Sequence, residues 1–123
     1  MKMFSFGYDR NGMAYCAGGY GRTAEEALEH QRFWWPDLPE LEDMIATEEE
    51  ETDTTEEEAY YEERILRQIY ADPETYLKRV ETCGACEKDK DWMRDIINSR
   101  DQQAYMFADT MVRDMVRGLT GNK

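Results

Sequence analysis

The sequence predicts an α+β protein, mainly helical, with an N-terminal β-hairpin packed on a bundle of about four to five helices. Three observations predict it. Apolar residues alternate with small or polar ones on both sides of Asn11-Gly12. Helix-start signals recur at Thr23, at Thr54-Thr55 and at Asp72-Pro73. Beyond Tyr61, apolar residues return at spacings of three and four. The length, 123 residues, fits one domain, divided by composition into a hairpin plus helix (1–36), an acidic segment (37–63) and a helical region (64–123).

Met3-Phe4-Ser5-Phe6-Gly7-Tyr8 alternates as a half-buried strand does, and Met13 to Ala17 is its return. Asn-Gly joins them because both residues tolerate the positive φ that a tight hairpin turn requires. Gly18-Gly19-Tyr20-Gly21 is expected to end the second strand. Thr23-Ala24-Glu25-Glu26 has the spacing of a capping box, opening a helix from about Ala24 to Phe33 with Ala24, Ala27 and Leu28 inward. Pro36 stops it, since the residue before a proline is pushed out of the helical region.

Leu38, Leu41, Met44 and Ile45 have helical spacing, and a short docked helix is expected there. Thr47 to Thr55 contains Glu48-Glu49-Glu50-Glu51 and lacks any aliphatic anchor, so a mobile loop is expected. Thr54 and Thr55 each precede a Glu by three positions, predicting a helix to about Tyr70 that buries Tyr61, Ile65, Leu66 and Ile69. Asp72-Pro73 starts the next, with Tyr76, Leu77 and Val80 inward. Asp89 to Ser99 is expected to be helical through Trp92, Met93, Ile96 and Ile97. Ala104, Phe107, Ala108, Met111, Val112, Met115, Val116 and Leu119 form one long apolar stripe, ended by Gly118 and Gly121. This stripe is read as a core face, with a homodimer seam through the last helix as its alternative use.

Charge distribution carries the functional reading. The net charge is −13, with 35% charged residues and 41% hydrophobic ones. Residues 1–36 hold four acids and four bases. Residues 37–63 hold fourteen acids and no Lys or Arg, and residues 64–123 hold ten acids and eleven bases. All the excess lies in one window. Its field repels nucleic acid and anionic membrane and attracts cationic surfaces, so neither direct nucleic-acid binding nor a membrane role is expected. No apolar run approaches the roughly 18–20 residues needed to span a bilayer. The first residues contain no apolar core of a secretory signal, and three cysteines are too few for a disulfide scaffold, so a cytoplasmic protein is expected.

No catalytic constellation emerges, and no cofactor is expected. Cys83-Gly84-Ala85-Cys86 has redox spacing, but it follows a helix rather than a strand and Glu87 follows it, which opposes a lowered thiol pKa. A zinc-supported domain is an alternative, in which only Cys16 and His30 could complete a set with Cys83 and Cys86. Their spacing is not that of a zinc finger. His30 has no partner pattern for nucleophilic catalysis, and Gly18-Gly19-Tyr20-Gly21 lacks the spacing of a phosphate-binding loop. Two adjacent tryptophans, Trp34 and Trp35, close the first helix; both cannot face the core, so one can anchor an interface.

The acidic window carries about one carboxylate per two residues, or one per about 3 Å at the helical rise. That approaches the 3.4 Å or so per phosphate along one DNA strand. With Asp37, Glu40, Glu42, Asp43, Glu48 to Glu51, Asp53, Glu56 to Glu58, Glu62 and Glu63, this short, one-domain chain resembles the phage-encoded acidic anti-defence proteins, the anti-CRISPR and anti-restriction DNA mimics. The resemblance is one of composition and covers about a fifth of the chain; the charge-balanced C-terminal half departs from it. It implies a non-catalytic inhibitor that blocks the basic channel of a nucleic-acid-binding host defence complex. The expected partner-binding residues are Asp43, Glu48, Glu49, Glu50, Glu51, Asp53, Glu56, Glu57, Glu58, Glu62 and Glu63, with Trp34 and Trp35 beside them. The alternative is a structural or adaptor protein, for example in phage assembly, that binds a basic protein.

Overall fold

A computed structural model describes residues 1–120. The chain forms two compact units, Met1–Tyr60 and Tyr61–Lys123. The architecture is α+β and mainly helical, as the sequence predicts.

In the first unit, β1 (Lys2–Arg10) and β2 (Met13–Gly21) pair antiparallel in register from Lys2–Gly21 to Arg10–Met13. Asn11 and Gly12 turn the chain at φ of 54° and 78°, the two positive angles that a type I′ hairpin demands. The strand does not end at Gly18 but continues through Gly21. Helix α1 (Ala24–Trp34) lies across it, and glycine is what admits the helix. A Cβ on Gly21 would stand 2.6 Å from the Ala27 nitrogen, and one on Gly19 would stand 2.7 Å from the Gln31 amide. The Thr23 hydroxyl accepts from the Glu26 amide, starting α1 as its sequence predicts. Phe4, Phe6, Ala27, Leu28 and Leu38 form the buried cluster between sheet and helix, with Trp35, Leu41 and Met44 packed at its margin.

Two expectations for the acidic segment fail here. Leu41–Asp43 forms only a single 3-10 turn, and Ile45 is 77% exposed. Residues 47–51 are not a loop: β3 (Ile45–Glu51) pairs antiparallel with β1, giving the sheet order β2-β1-β3. The cause is non-local. β1 is the central strand, and its second edge needs hydrogen-bonding partners. Thr52 accordingly donates its amide to the Met1 carbonyl at 2.8 Å, extending the join past the strand's end. Helix α2 (Glu56–Ala59) follows, held by a full capping box between Thr55 and Glu58.

The described residues of the second unit form five helices: α3 (Tyr61–Ala71), α4 (Pro73–Thr82), α5 (Glu87–Ser99), α6 (Gln102–Phe107) and α7 (Thr110–Leu119). Thus the helix expected from Thr55 to Tyr70 is broken at Tyr60, where the backbone leaves helical geometry at φ −116° and ψ 18°. Asp72 caps α4 with Pro73 in its first turn. The long final helix expected from Ala104 is two helices, because Asp101 and Asp109 each cap a separate start. Ile65, Leu66, Ile69, Val80, Met93, Ile96, Ile97, Tyr105, Val112 and Val116 are buried. Trp92, Phe107 and Met111 are not: they are 38%, 72% and 60% exposed, so the inward residues read for α5 and the long stripe read as core are both partly surface. Gly118 lies inside α7 instead of ending it, and Gly121 lies outside the described residues.

Candidate functional site

The two units divide the charge unequally. The first carries sixteen acids and four bases, a net of −12; the second carries twelve acids and eleven bases, a net of −1. The division falls within the acidic window, so twelve of its carboxylates belong to the first unit and two, Glu62 and Glu63, to the second. All twelve of the first group are exposed.

Three pieces of local structure present them. Asp43 ends the 3-10 turn, Glu48 to Glu51 occupy β3, and Asp53 leads into α2, whose first turn is Glu56, Glu57 and Glu58. In β3 the pleat divides the carboxylates between faces. Glu48 lies opposite Phe4 and shares its face with Ala46 and Phe6, the side on which α1 packs. Thr47 lies opposite Ser5 on the other face, where the Ser5 hydroxyl donates to Glu49 at 3.0 Å. The ladder shifts register between the Lys2–Glu51 and Phe4–Glu48 pairs, so a bulge lies at Glu49-Glu50. A strand rises about 3.3 Å per residue, so consecutive charges keep the phosphate-like interval but point to alternate faces.

The residues that steady this surface lie far away in sequence. Lys2 pairs with Glu48 at 2.7 Å, the Met1 amine approaches Glu51 at 3.9 Å, Arg22 meets Glu56 at 2.7 Å and Arg32 meets Glu40 at 3.6 Å. The hydrogen bond to Glu48, reinforced by the Glu48 and Glu51 charges, raises the Lys2 pKa above the ordinary lysine value. Charge reading alone missed Lys2, Ser5 and Arg22, because strand pairing and not proximity in sequence brings them there. The β-branched residues in Ile45-Ala46-Thr47 were the one local hint of a strand. Four bases cannot neutralise sixteen acids, and the surface stays strongly negative.

Glu62 and Glu63 are corrections to the expected surface. Glu63 is only 4% exposed and accepts from Arg67 at 2.8 Å. Glu62 accepts from Arg117 and from the Tyr105 hydroxyl, so both carboxylates are committed inside the second unit. Glu81, Glu87, Asp91 and Asp114 are also paired within that unit. Arg94 holds Glu81 at 2.8 Å and Asp91 at 2.6 Å, and its hydrogen bond to Glu81 lowers that carboxyl's pKa.

Trp34 and Trp35 are both half-buried. Trp35 packs on the sheet–helix core, whereas Trp34 meets the Phe33 ring edge-on at 5.1 Å. The zinc set is not brought together within the first unit. Cys16 lies opposite Gly7 on the sheet face away from α1, while His30 sits on α1 and stacks on Tyr60 with ring centroids 3.5 Å apart. Cys83 ends α4, and Cys86 begins α5. Among the described residues no group of three or more His, Cys, Asp or Glu side chains is placed to hold a metal ion. No helix among them is long and apolar enough to cross a membrane. Compared with family models, curated proteins and solved structures, the chain matches none.

Proposed function

We propose that this protein is a non-catalytic inhibitor that uses the acidic surface of its first unit to occupy the basic, nucleic-acid-binding groove of a partner protein. The class of partner is a host defence complex, with the host cytoplasm as the place of action. One observation supports this reading above the others: twelve carboxylates from 37 to 60 are all exposed on one unit that has only four bases. Solubility needs no such concentration, because mixed charges spread over both units would serve it equally. A dense carboxylate surface gains affinity by displacing counterions from a Lys/Arg groove. Trp34, half-buried and just before the acidic run in sequence, is the proposed anchor.

The test is competition. RNA-guided nucleases and restriction enzymes are presented with DNA and with increasing protein, and DNA binding is followed directly. Mutually exclusive binding to one of these enzymes is expected, together with loss of inhibition when Glu48, Glu49, Glu50 and Glu51 are all replaced by Gln. A partner that holds DNA and the protein simultaneously contradicts the reading. A second reading, self-association through the last helices, is favoured by the exposure of Phe107 and Met111. Sedimentation equilibrium of Met111→Lys against the parent chain tests it: a dimer that the substitution does not weaken counts against that seam.

A further inference from the structure

We propose that the outer edge of β3 captures an extended, Lys/Arg-rich segment of the partner as a fourth strand of the sheet. The proposal rests on the acidic-surface reading and adds to it the backbone geometry by which the partner docks.

β3 forms one border of the sheet, and among the described residues it pairs only with β1. All seven of its residues are exposed. A strand directs its N–H and C=O groups alternately to its two sides, so the groups turned away from β1 form a row free for another strand. Proteins usually block such a border with charged side chains, lysine above all, with proline, a bulge, a covering element or extreme shortness. β3 has neither lysine nor proline; its four glutamates oppose a like-charged strand but not a cationic one, and its one irregularity, at Glu49-Glu50, leaves Ile45–Glu48 regular.

Charge selects the occupant. A second copy of the same edge would bring two runs of four glutamates onto one short ladder, with strands only about 4.8 Å apart, and repulsion opposes that pairing. A basic strand meets the opposite situation. Its side chains alternate as those of β3 do, reaching Glu48 on one face and Glu49 on the other. Glu50 has no ion-pair partner among the described residues and is available to it. The opposite border of the sheet, β2, has no charged side chain between Met13 and Gly21, so it offers a basic segment no such attraction. Main-chain bonding supplies affinity in this mode, and the alternating carboxylates supply the choice of a cationic sequence.

Two peptides with the seven-residue length of β3 separate backbone from charge: one of alternating Lys and Thr, and its fully N-methylated counterpart with identical charge. Each is titrated into the full chain in dilute buffer and again at high salt. The unmethylated peptide is expected to bind at least about ten-fold more tightly, since each lost main-chain bond weakens the complex. It should also slow hydrogen exchange at Ile45–Glu51. Equal affinity for the two peptides, slowed exchange elsewhere, or no binding by the unmethylated peptide overturns strand capture. Equal but salt-sensitive affinity leaves the acidic-surface reading standing. Binding that ignores salt and survives replacement of Glu48 to Glu51 by Gln overturns both.

Discussion

A methyl group at position 21 has no room, because the Ala27 nitrogen and the Thr23 carbonyl oxygen would lie 2.6 Å and 2.9 Å from it, and both are backbone. Neither can rotate aside. Gly21→Ala is therefore expected to destabilise the first unit by about 1–3 kcal/mol, the usual cost of overpacking, read as a lower urea midpoint at unchanged slope. At Gly19 the obstacle is the Gln31 side chain, which can move, so Gly19→Ala should cost less. Tyr70 makes the opposite prediction. Its hydroxyl is buried and has no hydrogen-bond partner among the described residues, and burial pushes its pKa up to about 12. Tyr105 is likewise raised to about 12, first by burial. A phenol whose pKa rises on folding stabilises the fold fully below its unfolded value near 10, and that contribution is lost as pH climbs toward 12. Alkaline unfolding should thus begin near pH 10. Tyr70→Phe should flatten this limb and, by removing an unsatisfied hydroxyl, leave neutral stability unchanged or about 1 kcal/mol higher. Neither residue's role was legible in the sequence. Glycines in a strand pattern read as an ending until the helix above them is known, and a tyrosine's missing partner is a fact of packing.

Elements whose signals are local came through the sequence reading well. The Asn11-Gly12 turn, the Thr23 cap and the Asp72-Pro73 start all formed where their residues indicated, since each acts within one turn of chain. β3 did not, because its stability is borrowed from a strand about forty residues earlier, through Lys2 and the main chain of β1. Four consecutive glutamates suggest a loop by their mutual repulsion, and the pairing with β1 overrides it. The same blindness joined α6 and α7, where Asp101 and Asp109 are caps in the fold but read as solvent-facing residues within a periodic stripe. Hydrogen exchange distinguishes strand from loop at the element scale. The β3 amides that point to β1 should exchange at least about ten-fold more slowly than an unstructured chain, and uniform rapid exchange across Ile45–Glu51 would restore the loop.

At the scale of the molecule, the organising fact is where the charge is kept. The second unit pairs Glu81, Asp91 and Asp114 with its own arginines, and takes up Glu62 and Glu63 from the acidic run in the same way. The first unit leaves twelve of that run in solvent. The composition made this surface visible, though not its division at Tyr60 or its attachment to a sheet edge, since both depend on contacts between distant residues. If the surface exists to grip a basic groove, its affinity must respond to ions as a counterion-releasing contact does. The decisive measurement is the dissociation constant for the enzyme identified by DNA competition, taken from about 0.05 to 0.5 M salt, for the parent chain and for the variant with Gln at 48, 49, 50 and 51. The account expects the parent to lose affinity by at least about a hundred-fold over that range, and the variant to start weaker with a visibly shallower slope. Equal affinities and equal slopes for the two proteins would contradict it.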